Sequence, residues 1–237
     1  MTELLLLVAA FQKQEAPETA LVHGGTPVLE VQGSGKVEME WHTVSMDLSR
    51  DSVRLSSTSL FKNQGKDPVT ALVKIPIYVK GWSTNYGRDL KTWWADESVS
   101  PVRTDQMRTM MARWRGSDEI KNSGVWYVYK VSFRPQASRS LKTEITLPLS
   151  VTGLDGMERQ VGYLFDRTAS PLETLHLALK YPQELVFQTI ETSPNNWKWE
   201  VGPRGAFVKR ENVSLRSPEL ALFRFYRGGY EKIGDGL

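Results

Sequence analysis

The sequence predicts an all-β protein, mainly antiparallel, built as one or two packed β-sandwich domains with a single helix inserted near residues 104–115. Three observations carry this. Val69, Ala71, Val73, Ile75, Ile77 and Val79 stand at every second position, alternating with Thr70, Leu72, Lys74, Pro76, Tyr78 and Lys80. A period of two gives a strand one face in a core and the other towards solvent. Similar alternation recurs at hairpin spacing, in about ten or more short segments, along most of the chain. Helical spacing occurs in one stretch alone.

Taken in order, residues 1–10 read as a signal peptide: Leu4 to Phe11 is an apolar run ending in Val8-Ala9-Ala10, which fits cleavage after Ala10, although Glu3 stands where a Lys or Arg belongs. A first buried strand or short helix is the alternative. Crossing a membrane takes about 20 apolar residues, so no integral span is expected. Residues 11–35, with Pro17, Pro27, Gly24, Gly25, Gly33 and Gly35, read as a linker holding at most one short strand at Pro27–Val31. Val37, Met39 and Trp41 share one phase, whereas Val44, Met46 and Leu48 share the other, which predicts a β-bulge near His42–Thr43. Val53, Leu55 and Phe61 mark the next strand, and Asn63 to Pro68 a turn.

Pro76 cannot donate to a ladder, so the strand Val69–Val79 is expected at a sheet edge or with its pairing ending near Ile75. An edge there would also be a docking site for a partner strand. Residues 81–123 form an insertion. Within it Gly81 to Pro101 reads as irregular, and Thr104 to Arg115 as the helix, with Met107, Met110, Met111 and Trp114 on one face and Thr104 as N-cap. Val125 to Phe133 and Leu141 to Leu149 complete a β-sandwich domain over residues 36–150. Val151–Arg159 is a hairpin turn or a boundary, so residues 151–227 form a second β-sheet domain or a continuation of the first. Its strands are marked by Val161–Phe165, Leu175–Tyr181, Leu185–Ile190, Trp197–Val201, Ala206–Lys209 and Leu220–Tyr226. Residues 228–237 read as a loose tail.

Three local motifs carry a family likeness: Phe61-Lys62-Asn63-Gln64-Gly65 leading to Val73-Lys74-Ile75-Pro76; Val131-Ser132-Phe133-Arg134-Pro135 leading to Leu141–Leu149; and Arg210-Glu211-Asn212-Val213 with Pro218 and Leu220–Phe225. In these the chain resembles a group of uncharacterised bacterial exported β-sandwich proteins, over residues 36–226. The resemblance implies a fold and an extracytoplasmic address (periplasmic or extracellular), not a reaction. The chain departs from the group in its Gly81–Trp114 segment.

Composition narrows the chemistry. The net charge of +3 on 237 residues provides no field of the kind that gathers nucleic acid. The absence of cysteine excludes disulfides, thiolate metal sites and a cysteine nucleophile, and leaves both redox compartments open. His23, His42 and His176 are too far apart in sequence to suggest a metal site, so no cofactor, metal or catalytic residue is expected. Glu38 and Glu40 share a strand face, which keeps a small glycoside hydrolase as a third reading. Asn212-Val213-Ser214 spells a glycosylation sequon, meaningful only in a eukaryotic secretory protein. Arg103, Arg108, Arg113 and Arg115 read as a solvated face, and Trp197-Lys198-Trp199 as packing.

The aromatic segment 81–96 stands apart. Trp82, Tyr86, Arg88, Trp93 and Trp94 are the candidate binding residues, because aromatic rings on a rigid scaffold give large contact area with polar handles. Buried, the same rings would cap the sandwich. The expected function is non-enzymatic binding or structural work outside the cytoplasm, with an envelope protein or a glycan as partner. A carbohydrate-binding module using residues 81–96 is the alternative.

Overall fold

The computed structural model of the protein describes residues 21–33, 35–80, 86–107, 110–114, 117–152, 158–168, 170–181, 190–194 and 196–226. The expected signal peptide, Trp82, most of Leu185–Ile190 and the tail lie outside these. Among the described residues the chain forms eighteen strands and no helix, in two packed sheets.

With strands numbered in chain order, sheet A runs β15 (Ile190–Ser193), β18 (Glu219–Tyr226), β13 (Glu158–Phe165), β1 (Leu21–Gly25), β5 (Val69–Lys80), β10 (Ser117–Phe133) and β8 (Arg103–Gln106). Three short strands add to it: β2 (Val28–Val31) on β5, β12 (Ser150–Thr152) on β13, and β9 (Met110–Trp114) on β10. Sheet B runs β16 (Glu200–Gly202), β17 (Gly205–Val213), β14 (Leu172–Lys180), β3 (Val37–Leu48), β4 (Ser52–Asn63), β11 (Ser138–Pro148), β6 (Arg88–Trp94) and β7 (Glu97–Ser98). The β1–β13 and β3–β14 ladders are parallel and the others antiparallel. Through them, strands from both halves of the sequence pair within both sheets.

Five sequence expectations are corrected. The helix over 104–115 is absent: Arg103–Gln106 pair with Val125–Val128, and Met110–Ala112 with Ile120–Asn122. Helix propensity is a weak prior, and the 17-residue β10 offers a long edge whose ladder bonds replace it. Met107 turns inwards between the two pieces, its N–H donating to the Gly124 carbonyl at 2.9 Å.

Strand β5 is central rather than an edge. It pairs with β10 from Val69 to Lys80 on one side, and with β1 and then β2 on the other. Pro76 falls where that second side changes partner, between Ile77 on β1 and Lys74 on β2. The proline sits in the one gap of a ladder that is otherwise continuous. The linker holds two strands, not one; β1 is buried along its whole length. The segment 81–101 contains β6 and β7, closed by a two-residue turn in which Ala95 and Asp96 both have positive φ. That signature belongs to the primed hairpin turns.

The bulge is real but lies earlier than expected. The β3–β4 register shifts between Met39 and Trp41. Val37 and Met39 therefore face inwards, Trp41 faces outwards, and His42, Val44, Met46 and Leu48 face inwards again.

Among the described residues buried side chains form three apolar clusters: a small one on sheet A (Tyr78, Met107 and Leu164) and two that are each built from both sheets. The larger includes Val44, Met46, Leu55, Leu147, Leu175 and Leu177 from sheet B and Ile77, Val79, Tyr163, Phe165 and Phe223 from sheet A. The smaller joins Phe61, Trp94 and Leu141 to Val73, Tyr129 and Phe133. Met39 and Tyr127 touch both.

Candidate functional site

Between the two apolar clusters runs a band of buried polar side chains. His42 Nδ1 lies 2.8 Å from Ser59 Oγ, and its Nε2 lies 2.7 Å from the hydroxyl of Tyr163 on the opposite sheet. Ser57 and Thr143 share a 2.7 Å hydrogen bond across β4 and β11. Thr92 on β6 bonds the Tyr129 hydroxyl of sheet A at 2.9 Å. Burial pushes the His42 imidazole down to about 3 and the Tyr163 phenol well above its ordinary value. The neutral ring donates at one nitrogen and accepts at the other, so Ser59, His42 and Tyr163 form one directed chain.

A hydroxyl, an imidazole and a phenol in line would suggest a nucleophile and its base in an open cleft. Here Ser59 and His42 are 0% exposed and Tyr163 1%. No reactant reaches them, so the chain ties the two sheets together.

The opposite side of the same strands is open. Alternation along β4 puts Val53, Leu55, Ser57, Ser59 and Phe61 inside and leaves Arg54, Ser56, Thr58 and Leu60 outside. β11 and β14 alternate in the same way. Registers then lay out the outer face in rows. One row carries Glu211, Thr174, Trp41, Leu60 and Ser140. The next carries Lys209, His176, Thr43, Thr58, Lys142, Trp93 and Ser98. A third carries Phe207, Ala178, Ser45, Ser56, Glu144 and Lys91.

At its middle this face is made of short hydroxyl side chains, not the long charged ones that usually cover a solvated sheet. Some of its ions close on one another, but Arg54 and Lys142 share one carboxylate and Lys91 is exposed with no ion pair among the described residues. Glu144 accepts from Arg54 at 2.7 Å and lies 3.1 Å from Lys142, and Lys209 lies 2.7 Å from Glu211. The Arg54 hydrogen bond, then Lys142, hold the Glu144 carboxyl below its ordinary value. Burial, then Lys209 and Lys180, lower His176, which leaves it neutral near pH 7. Ser45 Oγ is buried with no hydrogen-bond partner. Buried hydroxyls usually find one.

The residues singled out in the sequence are separated by the structure. Trp93 and Trp94 are neighbours in β6 and point to opposite faces. Trp93 lies on the outer face, half-buried, with Lys142 Nζ 5.0 Å from its ring centre. Trp94 is in the smaller core cluster at 2% exposure, beside Phe61 and Phe133, and its indole N–H has no acceptor. Tyr86 is half-buried against the larger cluster, and Arg88 is exposed in register with Thr146. No single surface presents Trp93 and Trp94 together. Glu38 bonds Ser170 and lies 3.1 Å from Lys36, and Glu40 lies 3.2 Å from Lys62, so both carboxylates are ion-paired. Trp197 is buried, donating to Glu219 at 2.8 Å beneath the Arg210 guanidinium.

Sequence reading passed over Trp41, which shares the outer face with Trp93. The phase flip was its signal: moved two residues upstream, the bulge turns Trp41 out and His42 in. Among the described residues no group of three histidine, aspartate or glutamate side chains could hold a metal ion, and no helix is long and apolar enough to cross a membrane.

No protein-family model and no curated protein matches the sequence. Among solved structures, a "putative nutrient binding protein" from Legionella pneumophila superposes with a TM-score of 0.59 at 12% identity, covering 87% of this chain and 72% of that one. The likeness is one of fold. An M1 zinc metallopeptidase from Deinococcus radiodurans gives a TM-score of 0.32 at 8% identity, over 80% of this chain and 42% of that one. A two-domain M1 zinc metallopeptidase bound to L-tryptophan gives 0.33 at 9%, over 82% and 44%. The chain spans less than half the length of either peptidase.

Proposed function

We propose that this protein is a non-enzymatic binding protein that works outside the cytoplasm and holds its ligand on the outside of the sandwich. The observation that carries the reading is the contrast between the two sides of β3 and β4. Their inward hydroxyls and imidazole are sealed and engaged with one another, while Thr43, Ser56 and Thr58 lie half-buried on the outer face. The name borne by the Legionella neighbour, which shares this fold, points the same way. The apolar run Leu4–Phe11 supports the address.

Two experiments test this. Thermal melting of the purified protein against amino acids, peptides, and mono- and oligosaccharides should raise Tm in a concentration-dependent way for at least one class, without turnover. Hydrolysis of an ester, glycoside or peptide substrate that is lost in Ser59→Ala would overturn the reading. Residues 1–35 fused to a leaderless alkaline phosphatase should give an active, exported reporter; an inactive cytoplasmic fusion would sink the extracytoplasmic address.

A further inference from the structure

We draw no further inference here: the strongest candidate, the apolar cluster of Tyr78, Met107 and Leu164 on the outward side of sheet A, carries none, because nothing among the described residues shows what covers it.

Discussion

Two sets of small polar side chains lie back to back on β3 and β4, and they differ in what surrounds them. Ser56-Ser57-Thr58-Ser59 is one tetrapeptide, yet Ser57 and Ser59 are sealed in the core while Ser56 and Thr58 line the outer face. His42 and Thr43 divide in the same manner. Inside, each group is engaged with another protein group, because an unpaired buried polar atom costs about 1–3 kcal/mol. Outside, water offsets that cost for Thr43, Ser56 and Thr58, although Ser45 Oγ is buried without a partner. Parity in the strand, not residue type, decides which serine holds the protein together and which can recognise something else.

The comparison can be broken from its sealed side, where the largest effect belongs to His42. Its folded-state value of about 3 lies below the unfolded 6.5, so the unfolded chain takes up the proton first. The stability from the neutral ring is complete above pH 6.5 and is lost as pH falls towards 3, by on the order of 4–5 kcal/mol in all. Urea unfolding at pH 7.5 and 5 should show about 2 kcal/mol of this loss, and His42→Ala should lack it. At pH 7.5, His42→Ala itself should cost about 3–4 kcal/mol through a cavity and two stranded hydroxyls. Tyr163→Phe removes a single cross-sheet hydrogen bond and should cost about 1–2 kcal/mol in the same measurement. Ser56→Ala, on the open side, should stay within about 0.5 kcal/mol. A loss from Ser56→Ala as large as that from Tyr163→Phe would erase the distinction between the two faces.

The strands were legible wherever alternation was local and strong, as in Val69–Val79 and Val125–Phe133. What escaped depended on distant partners. Leu21–Gly25 carries two glycines and a histidine, a poor strand by propensity, and exists because β5 and β13 flank it. The methionine stripe at 107–114 fits a helix until β10 offers its edge. Pro76 argued for an edge because nothing nearby in the sequence announces the break between β1 and β2 that accommodates it. At the candidate site Trp93 was readable as a residue, and the opposite fate of Trp94 followed from period two once that stretch was known to be a strand. Trp41 was misplaced because Val37 and Met39 set a phase that the chain abandons one residue later.

That abandoned phase gives one residue of β3 an influence far beyond its own contacts. The bulge between Met39 and Trp41 acts as a frame marker. With Glu40 paired regularly and no bulge, holding Val37 and Met39 inside would drive Trp41 into the hydrogen-bonded band and eject His42 to the surface, whereas deleting Glu40 would leave both where they are. A lineage that straightened the strand here while keeping its length would exchange its internal tie for an internal indole. Its outer face would gain a titratable imidazole where an aromatic platform had stood, with no substitution at either position.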